Sequence, residues 1–113
     1  MHDIVFAKVI LNNLDIVRDK SKEIKEVHLE VGELSGIEPD HLIEHLNEQS
    51  KIIFKAVTKK SLIRCPCGYE GPAEIVEVLH DRVIWKCPWC DDPIETMEVI
   101  EGDKIKILKI IYH

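Results

Sequence analysis

The 113-residue sequence has no excess of positive charge: 15 Lys and Arg stand against 21 Asp and Glu, for a formal net charge of −6 and a pI near 5.5. Attraction to a phosphate backbone is not expected from that balance, so nucleic acid is not an expected partner. No apolar stretch approaches the roughly 20 residues of a membrane-spanning helix. A basic segment followed by an apolar run and a small-residue cleavage site is also missing from the N-terminus. A cytoplasmic protein without membrane partners is the expectation. There is no Gly-rich phosphate loop, nucleophile elbow or activated Ser-His or Cys-His arrangement, which leaves catalysis without an apparatus. The chain is expected not to be an enzyme. Internal repeats and low-complexity segments are absent as well.

Apolar residues make up 45% of the chain, ordinary for a globular protein. From Ile4 to about Asp19 they fall at Ala7, Ile10, Leu11, Leu14 and Val17, the period of one buried helical face. In "VHLEVGEL", Val27, Leu29 and Val31 alternate with His28, Glu30 and Gly32 as in a strand with one covered face. Gly36 breaks that pattern. Pro39 and Asp40 then open a second helix, since the first helical position needs no donor and a carboxylate suits the N-terminal dipole. Leu42, Ile43 and Leu46 form its apolar stripe. "KIIFKAV" and the C-terminal "KIKILKIIY" read as further strands. The expected fold is α/β (α+β): two helices on a three-stranded sheet from residues 1–60 and 103–113, with a zinc-ribbon-like domain at 61–102 inserted. A module of about 40 residues seldom holds itself together by burial alone, and a metal would make up the difference.

Four cysteines in a chain with no export signal favour metal ligation over disulfides. Cys65 and Cys67 stand in "RCPCGYEG", and Cys87 and Cys90 in "KCPWCDD". The second pair has the C-x2-C spacing of a metal knuckle, and the 19 residues between Cys67 and Cys87 (68–86) allow a hairpin to bring the pairs together. The first pair is C-x-C, a tighter bite. Gly68 suits a knuckle, where the residue after the second cysteine often needs positive φ. "CPWC" could also be a dithiol–disulfide couple, but such motifs open a helix in a thioredoxin-like fold, and "DDPIE" is a poor helix start. Two pairs favour zinc, held by all four thiolates and therefore structural.

The chain opens "MHD". The α-amine of Met1, the deprotonated backbone nitrogen of His2 and Nδ1 of its ring lie in series, and binding all three closes a five- and a six-membered chelate ring. The fourth corner of the square plane is left for the Asp3 carboxylate or another histidine, His80 among them. The backbone nitrogens of His2 and Asp3 with the His2 ring are an alternative set. Nitrogen-rich square-planar donors select Ni(II) or Cu(II) over Zn(II). His41 and His45, four apart on the second helix, could chelate a metal, although such a pair more often forms a solvated face. His28 is expected to face outward.

Taken together, "MHD", "VHLEVGELSGIEPDHL" and two cysteine pairs ahead of a last strand resemble the HypA/HybF family of nickel metallochaperones for hydrogenase maturation. The resemblance spans nearly the whole chain, and "GELSGIEP" is its most specific part. It implies nickel bound through His2 and N-terminal backbone nitrogens, and structural zinc on Cys65, Cys67, Cys87 and Cys90. It also implies a partner GTPase, HypB, that exchanges nickel, and delivery to the large subunit of a [NiFe]-hydrogenase, or in some bacteria to urease. Three features depart from the family pattern: Asp3 replaces a common glutamate, the first knuckle is C-x-C, and the connection from the second helix into "KIIFKAV" is short and lacks a Gly-Thr element. The rival reading is a zinc-ribbon protein–protein adaptor with no nickel function.

Overall fold

Pro39 and Asp40 open the second helix as their chemistry requires, and Glu38 closes its N-terminus, its carboxylate accepting the His41 backbone N–H at 2.8 Å. The computed structural model describes residues 2–79 and 82–113, and side chains from residue 5 onward. In chain order the elements are α1 (His2–Val17), β1 (Ile24–Gly32), α2 (Pro39–Gln49), β2 (Ile53–Lys59), β3 (Leu62–Arg64), β4 (Glu70–Gly71), β5 (Glu74–Val78), β6 (Val83–Lys86), a 3-10 turn (Ile94–Thr96), β7 (Glu98–Glu101) and β8 (Ile105–Tyr112). The strands form sheets of order β2-β1-β8, β4-β3-β7 and β5-β6. The fold is thus mixed α/β, with two helices and a three-stranded sheet built from the two ends of the chain. Neither helix is long and apolar enough to cross a membrane.

The chain divides into two compact units. The first takes residues up to Glu30, Glu38–Val57 and Lys106–His113; the second takes Val31–Ile37 and Thr58–Ile105. In the first, α1 and α2 pack together, and the buried side chains include those the two periodicities mark, Ala7, Ile10 and Leu14, Leu42 and Leu46, Val27 and Leu29, joined by Ile24 of β1 and Phe54 of β2. Three positions differ from expectation. Leu11 and Ile43 are only half-buried, and Val17 is 62% exposed. Val17 is the last residue of α1, and at about 100° per residue Leu11 and Ile43 fall at the margins of the stripes centred on Ala7, Ile10 and Leu14 and on Leu42 and Leu46.

The short connection after α2 is held by its own side chains. Ser50 Oγ accepts the Ile52 N–H at 3.1 Å, and Asn47 Oδ1 accepts the Phe54 N–H at 3.3 Å. On the other face of β1, Glu26 bonds His28 Nε2 at 3.0 Å and Lys55 Nζ of β2 at 3.0 Å. These two partners hold its carboxyl below the ordinary value of 4.5.

In the second unit the "GELSG" segment meets two other stretches of backbone. The Gly32 N–H donates to Lys104 O at 2.9 Å, the Glu33 N–H to Lys59 O at 2.9 Å, and the Leu34 N–H to Gly102 O at 2.8 Å. The Glu33 carboxylate accepts the Ser61 N–H. A Cβ on Gly32 would lie 2.2 Å from Gly102 O, and one on Gly102, whose φ is +92°, would lie 2.5 Å from Ser61 Cα. Both glycines are required by backbone-to-backbone approach, which no rotamer change relieves.

Two outcomes follow. Gly102→Ala should destabilise the protein by at least about 2 kcal/mol in denaturant melts, because left-handed strain and a backbone clash add; a change within a few tenths would refute the crossing. Glu26→Gln should lower Tm at neutral pH. A depressed carboxyl pKa contributes stability above its unfolded value, and that contribution disappears as pH falls through the lower folded value. The Tm gap between wild type and variant should therefore close below about pH 4; a gap independent of pH would show that the loss comes from packing.

Candidate metal centre

Each cysteine pair begins where a strand ends. Cys65 follows β3 directly, and the Gly68 N–H returns to its carbonyl at 3.0 Å while the Cys65 N–H donates to Tyr69 O at 2.9 Å. Gly68 closes this turn at φ 103°, with nothing within 4 Å of the place a Cβ would take. The positive φ expected there is present. Cys87 follows β6, and the Trp89 N–H points back to its Sγ at 3.4 Å, the backbone-to-sulfur bond of a knuckle. The β5-β6 hairpin lies between the pairs, registered by Glu74 opposite Lys86 and Val78 opposite Val83, with a bulge between Ile75 and Glu77. It closes through the Leu79 N–H to Arg82 O bond at 2.8 Å.

The two turns bring the sulfurs together. Cys65 and Cys90 Sγ are 3.5 Å apart, Cys67 and Cys87 Sγ 3.7 Å. All four lie within 4.8 Å of one another. Ligands on a tetrahedral zinc with Zn–S bonds near 2.3 Å are separated by about 3.8 Å, so the donor set fits one ion by spacing and by chemistry. The C-x-C bite does not keep the first pair from meeting the second. Cys87 is 1% and Cys65 3% exposed, Cys90 is intermediate and Cys67 exposed. The site is therefore shielded on one side and open on the other.

No disulfide joins any of the four cysteines. Burial disfavours the Cys87 thiolate, but the Trp89 N–H and the neighbouring thiols outweigh it and bring its pKa below the ordinary value. Cys90 goes the other way: the Asp92 N–H favours its thiolate, yet burial and the three other sulfurs push its pKa up. Cys65 is likewise raised: the Cys67 N–H and the Cys90 thiol favour its thiolate, but burial and the Cys67 and Cys87 sulfurs oppose it and prevail. Four negative sulfurs this close cannot coexist without a cation between them. The redox reading of "CPWC" lacks its context: the motif follows a strand of a two-stranded hairpin and precedes only a 3-10 turn.

Tyr69 and Trp89, each two residues after a central cysteine, meet edge to face with ring centroids 5.1 Å apart. This clasp between the knuckles went unread in the sequence, although the symmetric placement in "CPCGY" and "KCPWC" was its signal. Ser61, buried ahead of β3, accepts the Ala73 N–H at 2.9 Å and is a second such support. Among the described residues the cysteines are the one convergent group of metal-ligating side chains. His28 faces Glu26, while His41 Nδ1 lies 3.8 Å from Glu38 and His45 Nδ1 3.9 Å from Glu48. Met1, the side chains of His2 and Asp3, and His80 lie outside the described residues.

A family profile described as "Hydrogenase/urease nickel incorporation, metallochaperone, hypA" matches residues 1–112. The chain belongs to the HypA family. Two curated HypA hydrogenase maturation factors are similar to it. One, from Methanothermobacter thermautotrophicus, is 30% identical over 98 residues, 80% of each chain. The other, from Methanocella arvoryzae, is 28% identical over 115 aligned positions, 93% of this chain and 92% of that one. In fold it resembles the solution structure of the Ni metallochaperone HypA from Helicobacter pylori, with a TM-score of 0.62 at 13% identity over 97% of this chain and 96% of that one. A second HypA solution structure gives a TM-score of 0.53 at 15% identity over 98% and 92%. HypA proteins are metallochaperones, not enzymes.

Both tryptophans, Trp85 and Trp89, stand in the unit with the cysteines, and both helices begin in the other. Chelation should therefore collapse the near-ultraviolet circular dichroism and shift tryptophan emission, while the helical signal at 222 nm is largely kept. Cys87→Ser should reproduce the effect without chelator. A near-ultraviolet spectrum indifferent to chelation would show that the tetrad does not organise this unit.

Proposed function

We propose that this HypA-family chain binds Ni(II) at its N-terminus and delivers it for [NiFe]-hydrogenase maturation, while Cys65, Cys67, Cys87 and Cys90 hold a structural zinc. The observation that carries the reading is the family match from residue 1, which takes in the Met-His start. The curated relatives' description as hydrogenase maturation factors supports the destination.

Helix chemistry supports the nitrogen donors. Because α1 starts at His2, the backbone nitrogens of His2 and Asp3 fall in its first turn, where N–H groups have no intrahelical acceptor. Ionising them breaks no helical hydrogen bond. The N-terminal end of the helix dipole also favours the negative charge of a deprotonated amide. The His2 ring adds Nδ1, the Met1 amine a further nitrogen, and the Asp3 carboxylate or another histidine the remaining corner. The nickel is cargo, held by groups that release it when protonated. On this reading the chain works in the reducing cytoplasm, exchanges nickel with the GTPase HypB and hands it to the hydrogenase large subunit. The zinc, enclosed by four sulfurs, takes no part in ligand exchange and shapes the second unit.

Titration of protein with its native N-terminus should show one Ni(II) per chain, lost in His2→Ala and in a variant extended by a few residues before Met1, with zinc content unchanged. Affinity should fall below neutral pH, since the imidazole and the amine, with unperturbed pKa values of about 6.5 and about 7.7–8.0, take up protons in competition with the metal. Equal nickel binding by the extended or His2→Ala protein would overturn the assignment, and a chain that holds zinc but ignores nickel would be an adaptor.

A further inference from the structure

α1 is apolar on two sides. Ala7, Ile10 and Leu14 face the core; on the nearly opposite side Val5 is 61%, Val9 47% and Ile16 78% exposed. With Asn12, also exposed, these positions repeat at intervals of four, three and four, the spacing of a coiled-coil seam. Val9 and Ile16 take the equivalent positions a heptad apart, and Val5 and Asn12 the others. Such β-branched exposure on a helix that already has a buried face is not needed for the fold of one chain.

We propose that this stripe pairs with the same stripe of a second copy of the chain, the two α1 helices running antiparallel. The flanking charges choose both partner and direction. An antiparallel seam places Val5 against Ile16 and Val9 against Asn12 of the second copy. In that same register Lys8 comes beside Asp15 of the second copy, and by symmetry Asp15 beside Lys8. One polypeptide thus supplies both halves of a self-complementary interface, as a two-fold dimer requires. A parallel seam would set Lys8 beside Asn13 and leave both charges unmatched. Asn12 fits as the single polar residue that fixes register at some loss of stability.

Four short layers bury less than the 1,200–2,000 Å² or so of a stable specific interface. The pairing is therefore weak and concentration-dependent, of micromolar or lower affinity. Because α1 is about 24 Å long, antiparallel pairing sets the two N-termini at opposite ends of the seam. Each chain keeps its own set of N-terminal donors, and the dimer stands or falls independently of nickel.

Sedimentation equilibrium of the full zinc-loaded chain tests this. The wild type should dimerise reversibly, and Ile16→Lys should be monomeric with unchanged circular dichroism and zinc content. Lys8→Glu and Asp15→Lys should each weaken association several-fold to about tenfold, the scale of two exposed ion pairs turned repulsive. The double variant should restore it. Lys8 and Asp15 are two helical turns apart within one chain, so only contact between chains gives that rescue. A wild type monomeric at every concentration overturns the proposal. A dimer indifferent to Ile16→Lys, or charge reversals without rescue, overturns it too, placing the interface elsewhere or assigning the stripe to a different protein.

Discussion

Four sulfurs within 4.8 Å of one another are the constraint on which the second unit depends. As thiolates they repel, and as thiols they give weak hydrogen bonds in exchange for the order imposed on two turns. A dication held by the four would reverse the balance, because it would be attracted to all of them at once and favour their thiolate forms. The apolar burial in that unit is slight, with Ile63 the largest side chain fully buried between β4 and β7. A metal on the four sulfurs would do there what a larger hydrophobic core does elsewhere, and the Tyr69–Trp89 clasp and the Trp89 N–H to Cys87 bond aim the sulfurs.

A second constraint is steric. At Gly32, Ser61 and Gly102 three backbone segments approach more closely than any Cβ allows. The hydrogen bonds from Gly32, Glu33 and Leu34 fix the ends of the cysteine-bearing stretch against the "GELSG" segment. This accounts physically for that motif being the most specific part of the family resemblance: its first glycine is demanded by the crossing, its glutamate receives the Ser61 N–H, and Gly36, at φ 78°, turns the chain toward α2.

The first unit is organised differently, by helix and sheet periodicity around aliphatic side chains. Its N-terminal helix serves two demands at once. Its apolar face must hold α1 against α2, while its first turn must leave backbone nitrogens uncommitted if they are to be donors. A helix beginning at His2 meets both, since unpaired N–H groups are a property of every helix start. On the proposed reading, one molecule would combine an inert sulfur site with a labile nitrogen site, separated by chemistry as well as by sequence.

Alternation in "VHLEVGEL", the Pro39–Asp40 helix start and the spacing of the cysteines were legible because each depends on neighbours a few residues apart. The local sequence alone determined the two helices, the strand character of "KIIFKAV" and "KIKILKIIY", and the sulfur chemistry of the two knuckles. The exposure of Val17, the last residue of α1, was not legible, because periodicity marks a face of a helix and not where along it the packing ends. Nor was the pairing of Tyr69 with Trp89, whose rings are brought together by the knuckles' convergence. Only the tertiary structure decided that the tighter C-x-C turn still brings its sulfurs to the other pair, and that Gly32 and Gly102 touch across 70 residues. Periodicity reports which face of an element is apolar, whereas long-range approach depends on how several elements fill the same volume.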